Sequence, residues 1–204
     1  MLRHEPYKLE SLSLDLECSR LLSIMYGSEI LHERITALDE ETEQSKFPKP
    51  ANKLAYLAQH EEIEANRILL TLAIAVRNGL EKHPLLDDGS CGQLRSVKFS
   101  GDEFSTTEST EFPSALWGEL AKNHCEDKPL DVREACNKII HAQGAEWERK
   151  SLDGSRPLAS GTDGCYLTGN LWLSGFRPTR QNKREVWVAL LSVEQFVLLT
   201  AGQY

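Results

Sequence analysis

Residues 9–41 read LESLSLDLECSRLLSIMYGSEILHERITALDEE. Their apolar positions Leu9, Leu12, Leu16, Leu21, Ile24, Ile30, Leu31, Ile35 and Leu38 recur mostly at steps of three to five residues, the spacing of a helical stripe. Gly27 is a candidate interruption, and Asp39 to Glu43 reads as a solvated end. The Phe47-Pro48-Lys49-Pro50 stretch forces a turn, because proline lacks an amide donor and restricts the residue before it. A second stripe of Leu54, Leu57, Ile63, Ile68, Leu69, Leu72, Ile74 and Val76 predicts a helix from about Ala51 to Leu80, ended by Gly79 and Pro84. Two long helices on a short proline-rich link are expected to lie antiparallel and bury a shared face.

Beyond this pair the pattern fades from Pro84 to Pro113, which reads as a long surface loop with a short strand near Leu94 to Phe99. A helix over Ser114 to Lys122 would bury Leu116, Trp117 and Leu120. Asp131-Val132-Arg133-Glu134 has the form of a capping box and predicts a helix running to about His141. Leu171 and Leu173, then Val186, Val188 and Leu190, alternate with their neighbours as strands of a hairpin do. Ser192-Val193-Glu194-Gln195 is a second capping pattern and starts a short terminal helix with Phe196, Leu198 and Leu199. The expected fold is therefore mainly α and a single domain. A helical bundle over 1–145, with its loop at about 84–113, precedes a small C-terminal β-hairpin and terminal helix over 165–204, so that strands are confined to the last quarter.

With 204 residues, 40% of them hydrophobic and 26% charged, the chain has the balance of a globular domain. Cys18, Cys91, Cys125, Cys136 and Cys165 are scattered and odd in number, which fits a reducing cytosol. No apolar run is long enough to span a bilayer, and Met1-Leu2-Arg3-His4-Glu5-Pro6 lacks the apolar core of a signal peptide, so a cytoplasmic location away from membranes is expected. The net charge of -8 argues against coating nucleic acid by bulk electrostatics. The segment from Val132 to Arg184 nonetheless carries a surplus of Lys and Arg, which leaves room for a local anion site.

That segment holds Cys136-Asn137-Lys138-Ile139-Ile140-His141. Its Asn and His, on a short capped helix after a helical hairpin, resemble the HEPN family, whose signature is Arg, four to six residues, then His, often with Asn after the Arg. Asn137 and His141 match, whereas Cys136 stands where the family has Arg. The resemblance implies a bundle of about four helices, a homodimer and metal-independent RNA cleavage by attack of a 2'-hydroxyl on the adjacent phosphate. It also implies a toxin or phage-defence setting. In its decayed form it implies a module that binds RNA or a protein partner. The chemistry needs a group that moves protons near neutral pH, which His141 supplies, and a fixed cation on the phosphate. Arg133, Asn137 and His141 step by four residues and share one side of a helix, so Arg133 is a candidate substitute. It lies roughly 12 Å from His141 along the axis, a separation that a two-fold partner would have to bridge. The same helix serves equally as packing, with His141 bonded to a carbonyl at the helix end.

A second stretch, Arg77-Asn78-Gly79-Leu80-Glu81-Lys82-His83, also fits the spacing, although Gly79 and Pro84 place it where a helix is ending. Arg177, Arg180, Lys183 and Arg184 form the densest basic cluster, beside Trp172 and Trp187, and are candidate RNA contacts; the competing reading is a solvated turn over core tryptophans. His60 and Glu64 lie one turn apart, but no second pair matches them, so neither a metal nor another cofactor is expected. Cys136 reads as a small buried residue rather than a nucleophile.

Overall fold

The computed structural model describes residues 11–42, 60–80, 89–100, 113–122, 125–152, 165–178 and 183–201. In chain order these hold α1 (Ser11–Thr42), α2 (Glu61–Leu80), β1 (Ser90–Ser100), α3 (Pro113–Leu120), β2 (Glu126–Asp131), α4 (Val132–His141), β3 (Gly144–Ser151), β4 (Cys165–Pro178), β5 (Lys183–Ser192) and α5 (Val193–Thr200). The five strands form one antiparallel sheet in the order β2-β1-β5-β4-β3.

The expectation of a mainly helical bundle with strands confined to the last quarter is therefore overturned. β1, β2 and β3 all precede that quarter, and they join β4 and β5 in a single sheet. β1 runs through the stretch expected to be a loop and extends past the short strand expected there. The reason lies in its position: β1 is interior, paired with β2 on one side and β5 on the other, so its backbone bonds are made by chain distant in sequence. Edge strands β2 and β3 carry polar sequences, Glu126-Asp127-Lys128-Pro129-Leu130-Asp131 and Gly144-Ala145-Glu146-Trp147-Glu148-Arg149-Lys150-Ser151. Charge and proline are tolerated at a sheet margin and hide the strand from a search for apolar alternation.

α1 and α2 form the expected antiparallel pair. Arg20 meets Glu64 at 2.6 Å and Ser28 donates to Glu61 at 2.7 Å, so the numbering of one helix rises as that of the other falls. Gly27 does not interrupt α1, which runs through it. The part of the second helix expected from Ala51 to Gln59 lies outside the described residues. Both helix caps form as read: Asp131 accepts from the amide of Glu134 at 2.7 Å, and Ser192 from that of Gln195 at 3.4 Å.

Alternation sorts the sheet into two faces. On one, Leu94, Leu171, Leu173, Trp187, Ala189 and Leu191 pack under Leu21, Ile68, Leu72, Val76, Cys136 and Phe196 of α1, α2, α4 and α5. On the other, α3 covers Val186 and Val188 with Leu116 and Leu120. Arg95 clamps that layer with a two-nitrogen contact to Asp127, a bond to the carbonyl of Trp117 and its guanidinium 4.1 Å over the Trp117 ring. Gly92 is required where β1 meets β5, since a Cβ there would sit 2.0 Å from the Leu190 carbonyl oxygen.

Candidate functional site

α4 leaves the sheet margin at Asp131 and lies against α2. The amphipathic sequence of α4 sets its roll: Val132, Ala135 and Cys136 face the core, so Arg133, Asn137 and His141 fall toward the outer side. Cys136 is fully buried, as its small apolar character predicts.

Asn137 meets a residue from the other sequence match. The guanidinium of Arg77, on the last turn of α2, donates to the Asn137 side-chain oxygen. The amide nitrogen of Asn137 donates to Glu134 at 3.4 Å, which fixes which end of the carboxamide faces the arginine. Arg133 reaches the opposite way and donates to the carbonyl of Leu80 at 3.3 Å, satisfying an acceptor at the C-terminus of α2. With Arg133 beside Leu80 and Asn137 beside Arg77, α2 and α4 run antiparallel, and one further turn carries His141 toward the level of Ala73 and Ile74. His141 is exposed at the end of α4. Its partner in the second match, His83, lies outside the described residues.

A charged group backs this surface. The Lys138 ammonium sits 3.2 Å from Glu134 and 4.1 Å over the ring of Trp187. Burial pushes the Lys138 pKa down, and the pull of Glu134 only partly restores it. At Glu134, burial works upward but is outweighed by the Lys138 charge and by bonds from Lys138 and Asn137, so the carboxyl stays below its usual value. The arrangement offers one guanidinium, one carboxamide and one imidazole along the seam between two helices, suited to an anionic oxygen and a nearby proton transfer.

Arg177 is exposed near the end of β4, in register with Glu185 of β5; Arg180 lies outside the described residues, and Lys183 and Arg184 open β5. Trp187 is buried on the helix-covered face under Lys138. Trp172 lies on the other, edge-on to Trp117 with ring centroids 5.4 Å apart. The two tryptophans thus lie on opposite faces of the sheet, Trp187 in the core and Trp172 partly buried. Among the described residues, no three His, Cys, Asp or Glu side chains gather as a metal-binding group. No described helix is long and apolar enough to cross a membrane.

No family model, curated protein or solved structure matches the chain. In the sequence Arg77 and Asn137 belong to rival motifs, and nothing in either motif shows that the two residues are neighbours.

Proposed function

We propose that the seam between α2 and α4 binds the sugar-phosphate backbone of single-stranded RNA, with Arg77 contacting a phosphate, Asn137 orienting Arg77 and His141 at the open end. The observation that carries this reading is the bond from Arg77 to Asn137, which brings a guanidinium to the residue beside Cys136. The HEPN resemblance enters as a likeness of motif only, since the helices here form a layer over a sheet. An acidic chain can hold RNA at such a place because a local cation, and not net charge, sets the field at the phosphate.

The test is fluorescence anisotropy with a short labelled single-stranded RNA at several salt concentrations. Arg77→Ala is expected to weaken binding about tenfold or more and to lower the salt slope by about 0.7, the share of one phosphate that the variant leaves without its cation. Equal affinity in the wild type and the folded variant would remove the site from consideration.

The same bond favours a second reading, in which the site cleaves. The 2'-oxygen would attack the adjacent phosphorus while His141 takes its proton. The bond to the 5'-oxygen would break, and that oxygen would take up the proton His141 has just received, giving a 2',3'-cyclic phosphate, a 5'-hydroxyl and a neutral His141. Incubation of labelled RNA with chelator should then give cyclic-phosphate ends that His141→Ala abolishes; intact RNA throughout leaves binding as the function.

A further inference from the structure

The buried side of α1 changes character along its length. Leu14, Cys18, Leu21 and Met25 recur at steps of three and four and pack into the core, and the same stripe continues as Ser28 and His32, both buried. Past Met25 the buried side chains of α1 are thus polar among the described residues, and hydrogen bonds take over its attachment to the sheet. β4 supplies them. The Leu167 amide donates to the Ser28 hydroxyl at 3.1 Å, that hydroxyl donates to Glu61 of α2 at 2.7 Å, and Tyr166 bonds to Glu29.

Titratable groups reach His32 from every element packed there. α1 itself carries Glu29 and Glu33, both exposed, and β4 carries Tyr166, which bonds to Glu29. From α2, Glu61 comes within 3.9 Å of the His32 Nε2, too far for a hydrogen bond, and the same oxygen is already taken by Ser28. From β3, Arg149 is paired at 2.5 Å with Glu62 of α2 and sets a like charge against a protonated ring. A proton arriving at Nε2 therefore meets burial and a cation without gaining an acceptor. Such a histidine binds its proton more weakly docked than hydrated, so acid below about pH 6.5 favours its release into water. Glu61 works the other way as its own buried carboxyl takes up a proton. One turn along α2, Asn66 accepts from Trp147 of β3 at 2.8 Å, an uncharged bond that proton uptake leaves alone, and Ile68, Leu69 and Leu72 follow in the core.

We infer that Ser28, His32 and Glu61 form an acid-operated latch, in which one proton taken up at His32 frees the end of α1 beyond Met25 from Tyr166 and Leu167 of β4 while the rest of the helical pair stays docked. This rests on no reading of Arg77, Asn137 or His141. The test is hydrogen exchange of the full chain followed by NMR at several pH values, each amide corrected for its intrinsic rate, with the His32 ring titrated on the same sample. Protection of the Leu167 amide should fall about fivefold or more between about pH 7.5 and pH 5, setting in below about pH 6.5, while Leu94 of interior strand β1 keeps its protection. His32→Gln should remove the pH dependence at Leu167. Glu61→Gln still accepts from Ser28 but takes away the carboxylate nearest the ring, so it should enlarge the pH response, and it reports on the latch even if the first variant does not fold. Unchanged protection of Leu167 while His32 titrates, a fall shared equally by Leu94, a response in His32→Gln as large as in the wild type, or a smaller response in Glu61→Gln would each overturn the inference.

Discussion

Arg77 and Asn137, 60 residues apart in the chain, are joined by a hydrogen bond from guanidinium to carboxamide across two helices. Each is also fixed from behind, Arg77 by the last turn of α2 and Asn137 by its bond to Glu134.

If the pair acts as one unit, its RNA-binding effects will not add. Arg77→Ala and Asn137→Ala should each weaken binding, and the double variant should be little worse than Arg77→Ala alone. That corresponds to a coupling of about 1–2 kcal/mol in the double-mutant cycle. Anisotropy titrations of the four proteins measure it.

Lys138 is held by its stem as well as its charge. Lys138→Met keeps the stem over Trp187 but leaves the partly buried Glu134 carboxylate without its cation, so it should lose about 1 kcal/mol in urea unfolding. Lys138→Ala should lose about 1–3 kcal/mol, because it opens space above the ring.

Two glycines separate close approach from ordinary packing. Gly92→Ala drives a methyl into the backbone of Leu190 and should cost at least about 3 kcal/mol or prevent folding. Gly175→Ala places its methyl 2.5 Å from a ring carbon of Trp187, which can shift, so about 1–3 kcal/mol is expected, with an altered near-ultraviolet dichroism.

Buried His32 has a pKa pushed below its ordinary 6.5 by burial and by the charge of Arg149. A lowered folded pKa means the unfolded chain binds its proton first. Stability is then unaffected by this group above about pH 6.5 and falls as pH drops toward the folded value. Glu61 opposes this, since burial raises its pKa above 4.5, and stability from that group grows as pH falls through its raised folded value. Thermal melts from pH 7.5 to 5 should show a smaller acid loss in His32→Gln than in the wild type. A steeper loss in the variant would contradict the assignment.

Where local patterning and burial coincide, the chain was legible. The α1–α2 pair, the caps at Asp131 and Ser192 and the alternation in β4 and β5 all report on residues close in sequence. β2 and β3 were hidden because a margin strand gains its partner on one side only and keeps polar side chains, Pro129 included. Of the candidate site, the shared side of Asn137 and His141 follows from their spacing on one helix, whereas the meeting of Arg77 with Asn137 depends on α4 packing antiparallel to α2, which no stretch of sequence encodes by itself.

The strand order also governs the timing of synthesis. Gly92 of β1 pairs with Leu191 of β5, so one whole side of β1 leaves the ribosome long before its partner exists. During that interval the α1–α2 pair can form from local contacts, while β1 and β2 can make no more than a two-stranded ribbon, marginal alone. A nascent chain arrested before residue 183 should thus be helical, protease-sensitive in β1 and dependent on chaperones. Completing β5 and α5 would then close the sheet late, as a slow step set by topology rather than by any one contact.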